Sequence, residues 1–88
     1  MNAAEIRAEI TEAVEELAKG PNQFVKLSSL RWKLAFIRTA GLDAQLAAMY
    51  RARVINLIEA SSPRSLTADD RAAALRIGGQ DKTLVALV

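Results

Sequence analysis

The sequence contains no cysteine and no histidine. The first absence excludes disulfides, thiolate metal sites and a cysteine nucleophile. The second removes the usual acid–base side chain and the commonest metal ligand. No apolar run approaches the roughly 20 residues of a membrane span, and the terminal TLVALV is of strand length. The N-terminal MNAAEIRAEI lacks a basic segment followed by an apolar run, so it does not read as a secretory signal. A cysteine-free chain is compatible with a reducing compartment, and the expected location is cytoplasmic. There is no G-x-S-x-G elbow and no Walker-type loop. Asp69 and Asp70 are adjacent, which on a helix points them to different sides and rules them out as a general acid–base pair. These absences predict a protein that is not an enzyme, with no metal, no cofactor and no small-molecule substrate.

What is present suits one small domain spanning residues 1–88. A chain this short buries only about 60–65% of its unfolded surface. With 51% hydrophobic residues it still has enough for a core and some left for a partner. The net charge is +2, unevenly distributed. Residues 1–20 hold five acids against two bases, residues 21–60 six bases against two acids, and residues 61–88 four bases against three acids. Positive charge gathers in the middle of the chain, a weak electrostatic footprint for an anionic partner.

Ile6, Ile10, Ala13, Val14 and Leu17 recur at helical spacing and predict an amphipathic helix over 3–19, with Glu9, Glu12, Glu15 and Glu16 on its solvated side. Gly20-Pro21 stops it. Phe24 to Leu27 is a short strand candidate. Ser28 is placed as an N-cap, with Leu27 and Trp32 as a hydrophobic staple, ahead of a helix over 29–38. Leu30, Leu34 and Ile37 form its core stripe, and Trp32 and Phe36 share another side. Thr39-Ala40-Gly41 is expected to turn the chain into a helix over 42–53. Leu42, Leu46, Met49 and Tyr50 point inward there, and Asp43, Ala44, Ala47, Ala48 and Arg51 outward. Residues 54–59 are rich in β-branched side chains and form the clearest strand. Thr67 and Asp70 have the spacing of a capping box for a helix over 68–77, with Gly78-Gly79 as its C-cap and Gln80 to Lys82 as a turn. Residues 83–88 form a closing strand, expected antiparallel to 54–59.

The order helix, strand, helix, turn, helix, strand, long connection, strand resembles a winged helix-turn-helix domain of the small bacterial kind. The segments VKLSSLRWKL, LDAQLAAMYRARVINLI and LTADDRAAALRIGGQDKTLVAL carry the resemblance over nearly the whole chain. It implies an α+β fold with a three-helix core, a small antiparallel sheet, and a wing extended here by an extra short helix. It also implies double-stranded DNA as partner, in transcription regulation or in shaping DNA. Ser28 and Ser29 would hold a phosphate where the second helix opens. Arg31, Lys33 and Arg38 would contact the DNA backbone, Gln45 and Arg51 would enter the groove, and Arg53, Arg64 and Lys82 would flank the duplex. The alternative is a winged helix that binds protein or forms a homodimer through Trp32 and Phe36, since the third helix offers few base-reading groups.

Overall fold

The computed structural model describes all 88 residues. Helix α1 spans Ala3–Leu17. The Asn2 side-chain oxygen accepts from the Glu5 N–H at 2.9 Å, while the Glu5 carboxylate accepts from the Asn2 N–H at 3.0 Å. This reciprocal box satisfies donors that a helix start leaves orphaned. Ile6, Ile10, Ala13 and Val14 are the buried stripe. The helix stops at Leu17 and not at Lys19: Ala18 is extended, and the Lys19 N–H turns to Gln23 Oε1 at 3.1 Å. Pro21 disfavours helical backbone in the residue before it.

Strand β1, Val25–Lys26, runs directly into helix α2, Leu27–Lys33. The expected cap at Ser28 is therefore overturned. Lys26 takes the N-cap position without a side-chain bond, and Ser28 lies inside the helix. The staple fails too, because Leu27 is fully buried while Trp32 is 85% exposed. Leu34 leaves the helix, and the link to α3 is made by residues 34–38, pinned by buried Leu34 and Ile37. Helix α3 runs Thr39–Arg51, so Thr39, Ala40 and Gly41 are its first turn and not the connection. A helical glycine costs about 1 kcal/mol relative to alanine. Burial of Leu42, Leu46 and Met49 offsets that cost.

Helix α3 ends in a Schellman arrangement. The Arg53 N–H donates to Tyr50 O and the Val54 N–H to Met49 O, both at 3.1 Å. Strand β2 follows at Ile55–Ile58, alternating buried and exposed. After a 3-10 turn at Pro63–Ser65, helix α4 spans only Ala68–Ala73. Its capping box forms as its sequence suggests, Thr67 Oγ1 accepting from the Asp70 N–H at 3.0 Å. The expected continuation to residue 77 does not occur. Ala74 is extended, and Leu75–Ile77 is strand β3, paired antiparallel with β4, Gln80–Lys82. Gly78 and Gly79 have φ of 60° and 78°. They form the two-residue turn of a hairpin and not a helix cap, and left-handed backbone at both positions is what such turns favour. Gln80 to Lys82, expected as a turn, is the hairpin's second strand.

Strand β5, Leu84–Leu87, lies between β1 and β2 in an antiparallel sheet. Ile55 pairs with Leu87 and Leu57 with Val85, which confirms the expected pairing of the two long strands. Ile55, Leu57 and Val85 face the core shared with α1, α2 and α3. The architecture is α+β, with four helices and a small antiparallel sheet.

Candidate functional site

The structure sorts the charged residues by whether they already have a partner. Arg31 is committed inside the fold: its Nε–H donates to Ala73 O at 2.8 Å, and Nη2 lies 2.7 Å from Asp43 Oδ1. It fastens α2 to both α3 and α4. Lys33 Nζ lies 2.6 Å from Glu16 Oε2, tying α2 to α1. That hydrogen bond and the lysine's charge hold the Glu16 carboxyl below its ordinary pKa. Gln45 accepts from Arg7 Nη1 at 3.0 Å. Lys82 is only 7% exposed. It donates to Gln80 Oε1 at 2.7 Å and stacks 5.6 Å from the centre of the Tyr50 ring, within cation–π range. Arg31, Lys33, Gln45 and Lys82, all read from the sequence as nucleic-acid contacts, are thus already engaged with other side chains in the free protein.

Ser28 is occupied as well. Its hydroxyl donates to Asp70 Oδ1 at 2.6 Å. The other Asp70 oxygen accepts from Lys26 Nζ at 3.3 Å and from the Thr67 N–H at 3.1 Å. Asp70 is buried. The Ser28 and Thr67 hydrogen bonds lower its pKa to about 2. The carboxylate acts as a clamp between α2 and α4. The Thr67–Asp70 spacing signalled the capping role, but nothing local signalled the partners 42 and 44 residues away.

Arg38, Arg51, Arg53, Arg64 and Arg71 remain exposed, with no carboxylate at ion-pairing distance. Ser29 is exposed in the first turn of α2. Arg38 stands immediately before α3, Arg51 ends it, and Arg53 follows it. Thirteen residues of helix separate the two ends by about 20 Å. Between them Thr39, Ala40 and Ala44 are exposed, and Gly41, Asp43, Gln45, Ala47, Ala48 and Tyr50 are half-exposed. Six acids lack ion-pair partners: Glu5, Glu9, Glu12 and Glu15 lie on α1, Glu59 follows β2 and Asp69 lies on α4. Arg53 has φ of 63°, a left-handed backbone held by a non-glycine residue.

Trp32 and Phe36 project away from the core at 85% and 66% exposure. Beside Trp32 a groove of about 800 Å³ runs between α2 and α4. No three acids converge on a cation-binding arrangement, and no helix is long and apolar enough to cross a membrane. No family model, curated protein or solved structure matches the chain.

Proposed function

We propose that the protein is a winged helix-turn-helix that binds duplex DNA through α3, with little sequence preference. The observation that carries this reading is the charge segregation. Arginines without partners flank α3 at both ends, and four of the six acids without ion-pair partners sit on α1. A helix about 20 Å long with cations at each end suits a major groove about 12 Å wide, whose walls are phosphates. The element order and the sheet order β1-β5-β2 support the same reading, with residues 59–83 as an enlarged wing that carries α4 and the β3–β4 hairpin. Alanines and Thr39 dominate the outer surface of α3, Gln45 is held by Arg7 and Asp43 by Arg31, so free hydrogen-bonding groups for base edges are scarce. Phosphate contact then supplies most of the affinity, as for an architectural factor more than a selective regulator.

The test is fluorescence anisotropy of a labelled random duplex at several salt concentrations. Three contacts from Arg38, Arg51 and Arg53 give a log–log slope of about −2.7, and adding Arg64 and Arg71 brings it to about −4.5. Arg51→Gln should remove about 0.9 from the slope. Absence of binding at about 50 mM salt, where such contacts are strong, would refute the proposal. A second reading, protein association, is favoured by the exposure of Trp32 and Phe36.

A further inference from the structure

We propose that the α2–α4 face is a homodimer interface, with Trp32 and Phe36 of each copy packed into the α2–α4 groove of the other about a two-fold axis. Leu27, Leu30 and Leu34 are buried in the core, while Trp32, which lines the groove, and Phe36, in the turn after the helix, are exposed. An aromatic side chain presents about 150–250 Å². At 85% and 66% exposure, Trp32 and Phe36 therefore leave roughly 300 Å² in water per copy, a patch of the size that marks interaction sites.

The area available suits a weak dimer. Two copies contribute roughly 600 Å² from these aromatics alone, and a stable interface totals about 1,200–2,000 Å². The groove lining adds less than the aromatics do, so the contact falls in the small, weak class. The groove's volume is about 800 Å³, and its walls include apolar Leu17 and the small Ser29, Ala72 and Ala73, which leave room for an incoming ring.

Charge selects a second copy as the occupant. A face that meets itself across a two-fold axis has to be nearly neutral, because any excess charge opposes its own image. This one is nearly balanced. Lys26, Arg31 and Lys33 line the groove, and each is paired with an acid: Asp70, Asp43 and Glu16. Only Asp69 is left without a partner there. A polyanion would find no free cation in the groove, and a strongly charged peptide would find no complement. The inference does not depend on DNA binding, and its test contains no DNA.

Trp32 is the only tryptophan, so it reports on its own burial. Sedimentation mass and acrylamide quenching of the full chain are measured together from about 1 to 500 µM, a range that suits a small, weak interface. The expected result is a doubling of mass with a parallel fall in quenching. Phe36→Asp and Ala72→Arg change exposed positions, retain the probe, and should stay monomeric throughout with unchanged circular dichroism. If one of them unfolds, the other decides. A monomer at every concentration would overturn the proposal. So would a dimer whose tryptophan remains as quenchable as in the dilute protein, because another face would then be in contact. Dimerisation of the folded variants at the wild-type midpoint would overturn it equally.

Discussion

Replacing Arg53 with glycine should make the protein more stable and a poorer ligand for DNA. Arg53 sits at φ 63°, the first residue past the C-cap of α3. Its N–H and that of Val54 close the helix end on Tyr50 O and Met49 O. A side chain bearing a Cβ pays about 1–2 kcal/mol to adopt this backbone. Glycine removes that strain but gains freedom in the unfolded chain, which returns about 0.4–1 kcal/mol. The net expectation is a gain of about 0.5–1 kcal/mol, and a domain of this size shifts its Tm by about 4–8 °C per kcal/mol. Thermal unfolding followed by circular dichroism should therefore show a rise of about 2–8 °C. Arg53→Ala is the control. It keeps the Cβ and the strain and loses only the charge, so its Tm should stay within about 0.5 kcal/mol equivalent of wild type. On DNA the two variants should behave alike, each lowering the salt slope by about 0.9. If Arg53→Gly melts no higher than Arg53→Ala, the strain argument is refuted. If the variants bind DNA like wild type, Arg53 is not a phosphate contact. The combination of strain at a position with displayed charge is the pattern expected where function holds a residue against stability.

Two further predictions concern the region between β2 and β5. The Asp70 carboxyl has a folded pKa of about 2, below its ordinary 3.8, so the unfolded chain takes up the proton first as pH falls. The stabilisation is therefore complete above about pH 4 and disappears between there and about pH 2. Asp70→Asn should melt below wild type at neutral pH, and the gap should close on acidification. A gap that stays constant from pH 7 down to about pH 2 would show that the ionised carboxylate is not what clamps α4 to α2. In the hairpin turn, a Cβ added at Gly79 meets nothing within 4 Å, so the cost of Gly79→Val is backbone strain alone. It should be destabilised by about 1–2 kcal/mol in urea unfolding. Gly78→Asn, a residue that tolerates left-handed backbone, should lose less, and equal losses would contradict the hairpin geometry.

Local chemistry carried part of this structure from the start. The stripe of Ile6, Ile10 and Val14 sufficed for α1, because burial on one side of a long helix repeats with the helical period and needs no partner to be recognised. The β-branched run around Ile55 and the closing Leu84–Leu87 segment were legible as paired strands, and the Thr67–Asp70 spacing was legible as a helix start. The ends of the short elements were not. Ala68–Ala73 is less than two turns, too short for a periodicity to show where it ends, and the glycine pair fits a helix cap and a hairpin turn equally well in sequence. Pairing of Leu75–Ile77 with Gln80–Lys82 decided between them. The Ser28 hydroxyl is just as ambiguous, since a helix cap and a distant carboxylate both satisfy it. Only the packing of α4 against α2 brought Asp70 to within 2.6 Å. The candidate site divides in the same way. Composition placed the excess positive charge in the central helices, because net charge is additive along a chain. Which arginines remain free depends on distances between residues far apart in sequence, and those distances exist only in the folded chain: Arg31 and Lys33 are consumed by Asp43 and Glu16, while Arg38, Arg51 and Arg53 are left at the surface.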